Sequence, residues 1–192
     1  MTISATDKFF FDTDCLSTFI KVRKEHLLFK LFEKIYIPYE VYDEIKLYKT
    51  RFNKMYMSEI VDKFIKSGKV ILIELELKEQ YMFVDLIYNV TEKYKIIGKG
   101  EASVICLAKY RNGVIASNNM NDIAHYINKY NLKYTTTSLI IHQLVLKNII
   151  NTREAEEIWS DLVYFDGKIN PFKMPYYTYK DFLKSNELVN VN

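Results

Sequence analysis

The sequence contains few of the residues that interrupt regular structure. Its 192 residues include 5 glycines and 3 prolines, so long helices and strands are expected rather than many tight turns. It also has only 2 cysteines and 3 histidines, without a CxxC pair or a histidine cluster. A disulfide framework or a zinc site is therefore disfavoured. Cys15 and Cys106 lie inside apolar helical patterns, and we expect them to be buried thiols.

Long apolar runs and an excess of one charge are also absent. No apolar stretch reaches the roughly 18 residues of a membrane span, and the first residues, MTISATDKFFF, do not have the pattern of a signal peptide. We therefore expect a cytoplasmic protein without membrane contact. The formal net charge of +3 neither demands nor excludes a nucleic-acid partner. The hydrophobic fraction of 49% is sufficient for a sizeable core.

Short apolar runs alternate with amphipathic stretches along most of the chain. The runs KFFF, KIYIP, VILIEL and VIAS predict strands, and patterns such as residues 15–32 and 78–95 predict helices between them. This alternation indicates an α/β fold, with a central, mostly parallel sheet flanked by helices. After Thr152 a charged helix and a segment rich in Tyr and Pro follow. We expect a main domain over 1–152 and a helical and aromatic extension over 153–192 that packs on the domain or binds a partner.

Acidic and amide side chains occur where several predicted strands end. Asp12 ends the first strand, Glu44 lies on the helix after the second, and Glu101 opens the helix before the fourth. Asn119 and Asp122 follow the fourth strand. Parallel sheets bind ligands beyond the carboxyl ends of their strands, where clustered carboxylates repel one another unless a cation balances them. Mg²⁺ and Mn²⁺ take such oxygen ligands, so the pattern favours metal-assisted hydrolysis of a phosphodiester.

Each of these acids also has an ordinary structural explanation. Asp12 can cap the helix that follows it, a role for which Asp14 competes. Glu44 can be a solvated helix residue, Glu101 is favoured by the dipole of its helix, and Asp122 can cap the next helix. Their joint occurrence at one expected edge of the sheet is what favours a site.

Four blocks of the chain together resemble the PIN-domain family, over residues 8–150. They are FFFDTDCLSTF, IYIPYEVYDEI, GKGEASVICLAKYRNGVIASNNMNDI and NLKYTTTSLIIHQLVLKNII. The family includes the ribonuclease toxins of toxin–antitoxin modules. The resemblance implies a PIN-like fold and a ribonuclease that uses Mg²⁺ or Mn²⁺. It also implies RNA as substrate, a protein antitoxin as partner and a homodimer. The catalytic and metal-binding acids that it implies are Asp12, Glu44, Glu101 and Asp122, with Asn119 as a neutral metal ligand.

The chain departs from the family pattern after the fourth strand. Relatives with the GEA block often have two adjacent aspartates there, whereas this chain has Asn118 and Asn119. If that pair is the counterpart, a second metal is weakened and activity is low or lost. If Asp122 is the counterpart, which we prefer, the acidic set is intact. The alternative function is a catalytically weakened module that binds RNA or another protein.

Overall fold

The computed structural model describes residues 7–52, 55–88, 97–165 and 178–184. Its strands form one parallel sheet, which confirms the expected α/β class. The strands are β1 (Phe9–Phe11), β2 (Ile35–Pro38), β3 (Val70–Ile73), β4 (Val114–Ala116) and β5 (Lys133–Thr135). Their order across the sheet is β3-β2-β1-β4-β5. β1 and β4, which are buried along their whole length, therefore lie inside the sheet.

Helices cover the sheet and continue beyond it. In chain order they are α1 (Thr13–Lys21), α2 (Leu28–Leu31), α3 (Tyr39–Phe52), α4 (Met55–Lys66), α5 (Leu77–Tyr88), α6 (Lys99–Arg111), α7 (Met120–Tyr130), α8 (Thr137–Leu146), α9 (Thr152–Phe165) and α10 (Tyr179–Leu183). A 3-10 turn over Glu25–Leu27 precedes α2. No helix among the described residues is both long enough and apolar enough to cross a membrane.

Two predicted helices differ in extent from the observed ones. The apolar pattern over 15–32 is split, because Arg23 takes a left-handed backbone conformation with φ 55° and ends the first segment. The spacing of apolar residues does not predict a left-handed backbone conformation at a single residue. The pattern over 78–95 corresponds to α5, which ends at Tyr88, and residues 89–95 lie outside the described part of the chain.

The central helix α6 packs closely against the sheet. Its residues from Ala102 to Ala108 are buried, and it ends where Asn112 takes a left-handed conformation with φ 50°. Gly113 follows, and a Cβ atom there would lie 2.3 Å from Cε2 of Phe10. The chain can therefore enter β4 beside the Phe10 ring only because this residue has no side chain. Cys106 of α6 and Cys15 of α1 are free, buried thiols, as expected.

The C-terminal helices attach to the same hydrophobic core. Trp159 of α9 packs against Tyr179 and Phe182 of α10, with ring centroids 5.9 and 5.7 Å away, and all three side chains are buried. His142 Nδ1 lies 3.0 Å from the Tyr179 hydroxyl, which joins α8 to α10. The aromatic residues of α10 are therefore packing residues. Tyr176 and Tyr177 of the same segment lie outside the described residues, and the division at residue 152 stays a prediction.

Candidate active site

The sequence-predicted site residues lie beyond the carboxyl ends of β1, β2 and β4. Asp12 is the N-cap of α1 directly after β1, and Glu44 lies in α3, which follows β2. Glu101 is in the first turn of α6. Asn119 is the N-cap of α7, and Asp122 lies in its first turn. Three helix N-termini therefore supply four of the five side chains, and partial positive charge at each terminus favours the acids there.

Asp12 is the most deeply enclosed of the acids. It is 2% exposed, and its Oδ1 accepts a hydrogen bond of 2.7 Å from the backbone N–H of Cys15. Asp12 thus caps α1, the ordinary role considered above. Its Oδ2 is buried and meets no hydrogen-bond donor in good geometry among the described residues. A buried carboxylate oxygen without a partner is unusual and requires an explanation.

The electrostatic environment of Asp12 favours its neutral form. Burial raises the pKa of Asp12 to about 8, and the charges of Asp14 and Glu101 add to the increase, against the opposing effects of Ser117 and the Cys15 N–H. Without a cation, this carboxyl group is therefore mainly protonated at neutral pH. A positive charge beside its unpaired oxygen would reverse that preference.

Glu44 is held by two other elements. The hydroxyl of Thr13 in α1 donates a hydrogen bond to its Oε2. The backbone N–H of Gly100 donates to its Oε1 at 3.1 Å. A Cβ atom at Gly100 would lie 2.9 Å from Glu44 Oε2, so glycine is needed for this approach. Burial raises the pKa of Glu44, and the charges of Glu101 and Asp14 add to the increase against these two hydrogen bonds.

Asn119 bridges the remaining two acids. Its Nδ2 donates hydrogen bonds of 3.1 Å to Glu101 Oε1 and 2.7 Å to Asp122 Oδ2. Its own backbone N–H donates to the hydroxyl of Ser117 at 3.1 Å. The amide therefore lies between the two carboxylates and offers them its hydrogen atoms. A role as a metal ligand would need the side chain to present its oxygen instead.

Asn118 has a different role from its neighbour. It is 4% exposed, its Nδ2 donates to the Thr137 hydroxyl at 2.9 Å, and its Oδ1 accepts from the Thr137 N–H at 2.9 Å. These bonds tie the end of β4 to the first turn of α8. The two asparagines are therefore not equivalent, since only Asn119 contacts the acids that were predicted to form the site.

Three nearby residues were not included in the predicted set. Asp14 is half-buried, and its charge acts on both Asp12 and Glu44. Thr13 donates a hydrogen bond to Glu44, and the Ser117 side chain acts to lower the pKa of Asp12. The spacing of Asp14 from Asp12 was a signal, but it was interpreted as competition for a helix cap. Ser17, a hydroxyl residue in the same turn, donates instead to the backbone carbonyl of Asp14 at 3.2 Å.

The donors suit a hard divalent cation, although they are not arranged as a finished site. Within the described residues, no three His, Cys, Asp or Glu side chains are grouped closely enough to hold a metal ion. The reason is visible in the hydrogen bonds, because Asn119 separates Glu101 from Asp122 and both oxygens of Glu44 are engaged. The unpaired Oδ2 of Asp12 and the surplus of carboxylates are what a cation such as Mg²⁺ would satisfy.

A parallel sheet with helices on it and acids beyond its carboxyl edge defines the chain as an α/β protein. A family model described as DUF3368, PIN domain, matches residues 8–164. The chain therefore belongs to the PIN-domain family, and the expected resemblance is confirmed. No curated protein matches the chain.

Several solved structures resemble this fold, and two of them are VapBC structures. One chain of the DNA-bound VapBC structure from Salmonella typhimurium has a TM-score of 0.55 and 16% identity, and the similarity covers 69% of this chain and 99% of that one. A chain of VapBC2 from Rickettsia felis, bound to a promoter DNA fragment, has a TM-score of 0.52 and 17% identity, covering 71% and 98%. At these identities the similarity shows a shared fold alone.

Proposed function

We propose that the protein is a metal-dependent endoribonuclease that hydrolyses RNA phosphodiesters with Mg²⁺ or Mn²⁺. The observation that carries this proposal is the buried, unpaired Oδ2 of Asp12. The pKa of this carboxyl group is raised to about 8 by burial and by the charges of Asp14 and Glu101. A carboxylate that only caps a helix does not need an enclosed second oxygen beside other acids. Membership of the PIN-domain family supports the same chemistry.

The proposed ligands are Asp12, Glu101 and Asp122, with Glu44 and Asn119 completing the set. A divalent cation held there supplies a more acidic water and positive charge near the leaving oxygen. Asp12 stays fixed because α1 holds its Oδ1. Glu44 stays fixed through its hydrogen bonds to Thr13 and Gly100. These contacts keep the acids in place before substrate arrives, so little reorganisation is needed during the reaction.

The test is cleavage of a structured RNA in Mn²⁺ by purified variants. Asp12→Asn and Glu101→Gln should each reduce the rate on the order of 10²-fold or more. Gly100→Ala should also reduce the rate, because the added Cβ would displace Glu44. Asp161→Asn, which removes an exposed acid of α9, is the matched control and should cleave like the unmodified chain. Cleavage that survives Asp12→Asn would contradict the proposal.

The alternative is a module that binds RNA or protein without cleaving, and Asn119 favours it. Its amide already satisfies Glu101 and Asp122 by hydrogen bonds, and it adds no negative charge for a second cation. Calorimetric titration with Mn²⁺ beside the cleavage assay separates the two functions. Cation binding without cleavage, with cleavage appearing in Asn119→Asp, would establish the alternative.

We also propose a protein antitoxin and a second copy of the chain as partners. The antitoxin follows from the toxin members of the family, and it would cover the acidic site.

For the second copy, α5 offers four apolar side chains spaced along one face, namely Leu77, Tyr81, Val84 and Tyr88, with exposures of 67, 68, 46 and 69%. An exposed stripe of this kind is typical of an interaction surface. Analytical ultracentrifugation of the unmodified chain measures the dimer directly.

A further inference from the structure

Lysine precedes three neighbouring strands at the edge of the sheet opposite the acids. Lys8 comes before β1, Lys34 before β2 and Lys69 before β3, and all three residues are exposed. We call these three residues the lysine row. The three strands are adjacent in the sheet order β3-β2-β1. Because every strand is parallel, their amino ends meet at one edge.

The strand register places the members of the lysine row level with one another. Phe10 is the register partner of Tyr36, so the lysines two positions before each of them are side by side. Ile35 is the partner of Val70, so the lysines immediately before these residues are also side by side. Aligned residues of parallel strands point to the same face, and neighbouring strands lie about 4.8 Å apart. The row therefore spans about 10 Å at the backbone.

Within the part of the chain that the structure describes, little negative charge balances the lysine row. Glu33 lies 3.8 Å from the Lys34 ammonium, but these side chains are 87% and 42% exposed, and such surface pairs contribute little. Asp7, the acid before Lys8, is engaged by Lys133 at 3.0 Å. Like charges placed side by side on neighbouring strands destabilise a sheet. Lys69 also lies at the C-terminus of α4, where its N–H donates to the Phe64 carbonyl and the helix dipole favours a cation, whereas Lys8 follows no helix of the described residues.

We propose that the lysine row binds the sugar–phosphate backbone of single-stranded nucleic acid, outside the acidic site. Successive phosphates present closely spaced negative charges along one direction, which matches three cations in a line. The Tyr36 ring lies beside the row, with the Lys8 ammonium 5.9 Å from its centroid, and offers an aromatic face for a base. Lys66, which is exposed at the end of α4, lies three residues before Lys69 and adds a further cation to this part of the chain.

The lysine row and the acids cannot hold the same phosphate. Asp12 lies four residues after Lys8, about 13 Å along an extended strand. The row therefore provides a second contact for a nucleic acid, and its binding can be measured without any cleavage. For that reason the proposal does not depend on the ribonuclease activity.

The test is fluorescence anisotropy of a labelled oligouridylate with the full-length protein in EDTA, titrated between about 50 and 200 mM salt. The logarithm of the association constant falls as the logarithm of the salt concentration rises. Loss of three phosphate contacts should make this slope less steep by about 2. The row variant combines Lys8→Gln, Lys34→Gln and Lys69→Gln. The matched control combines Lys147→Gln, Lys180→Gln and Lys184→Gln. These lysines are exposed in the C-terminal part of the chain, so the change of net charge is the same. The control variant should keep the original slope.

Three outcomes would overturn the proposal. The row variant could keep the original slope, or the control variant could lose as much as the row variant, which would indicate a response to net charge alone. A polyglutamate peptide could bind the unmodified protein as tightly as the RNA does, and the row variant could lose that binding as well. This result would indicate an acidic protein partner. If the row variant does not fold, the Lys34→Gln single variant should still lower the slope by about 0.7.

Discussion

Asp12 has two roles that make opposite demands on its charge. As the cap of α1 it accepts a hydrogen bond at Oδ1, while its buried Oδ2 has no partner and favours protonation. An asparagine at this position keeps a cap acceptor and removes the charge. At neutral pH this residue therefore lowers the stability of the cation-free protein.

Replacement of Asp12 by Asn should stabilise the cation-free protein at neutral pH. The pKa of Asp12 rises on folding from an ordinary 3.8 to about 8, chiefly through burial. The folded chain therefore holds a proton that the unfolded chain has lost, and the free energy of unfolding falls as pH increases between these two values. Each pKa unit corresponds to about 1.4 kcal/mol, so a gain of several kcal/mol is expected for Asp12→Asn at pH 7.

Urea denaturation in EDTA at pH 5 and pH 7.5 measures this effect. The unmodified protein should lose stability between the two pH values, and Asp12→Asn should lose much less. Asp12→Ala is the control for the cap, because it removes charge and acceptor together and should be about 1 kcal/mol less stable than Asp12→Asn. If Asp12→Asn were less stable than the unmodified chain at pH 7.5, the raised pKa of Asp12 would be contradicted.

At the scale of elements, one buried ion pair fixes the outer helix α5 to α6. Glu79 of α5 is fully enclosed, and Arg111 at the end of α6 donates to both of its oxygens at 2.8 and 2.7 Å. The backbone N–H of Glu76 donates to the same carboxylate at 2.7 Å, and Arg111 also reaches the carbonyl of Glu74 at 2.8 Å. The pair thus joins the end of β3, the start of α5 and the end of α6.

Replacement of Glu79 by Gln should destabilise the protein by about 3 kcal/mol. The Arg111 charge would lose its closest carboxylate and keep only the exposed Glu76, 3.8 Å away. Burial alone raises the pKa of Glu79, but Arg111 and the Glu76 N–H outweigh it, so the pKa is lowered. The stability from this pair is therefore present above the ordinary pKa of 4.5 and is lost as pH falls through the lowered value.

Acid titration followed by circular dichroism checks the Glu79 prediction. The unmodified chain and Glu79→Gln should converge in stability as the pH falls below 4.5, the ordinary pKa of Glu79, and should differ most near pH 7. Glu157→Gln is a suitable control, since this glutamate forms an exposed pair with Arg153 on α9 and should change stability little. A pH-independent difference between the unmodified chain and Glu79→Gln would assign the effect to packing rather than charge.

At the scale of the whole molecule, the sequence predicted the order of strands and helices better than the contacts between them. Alternating apolar and amphipathic runs are local, so the parallel sheet and the positions of the acids could be predicted. The hydrogen bonds of Glu44 join it to residues 31 and 56 positions away, and no local pattern encodes them. The split at Arg23 comes from a left-handed backbone conformation at that residue, which no periodic pattern encodes.

Addition of Mn²⁺ should raise the melting temperature of the whole domain. A ligand that binds only the folded state at about 100 times its Kd adds about 2.7 kcal/mol. The gain should be greater at pH 8 than at pH 6, because the raised pKa of Asp12, about 8, leaves that acid protonated at the lower pH. Differential scanning calorimetry measures the gain, and Asp12→Asn should abolish most of it. An equal increase in Asp12→Asn would place the cation elsewhere.

At the proposed cation site, the amide of Asn119 would make ion uptake an exchange reaction. Its two N–H groups already give the flanking carboxylates a share of positive charge, much as a resident cation would. A cation bound at the proposed site would have to displace both hydrogen bonds, each worth about 1.5–3 kcal/mol when the acceptor is charged. The net affinity is therefore the intrinsic one reduced by that amount. The proposed nuclease should accordingly be inactive at low free-ion concentrations. It should become active only above a threshold concentration that the Asn119 side chain sets.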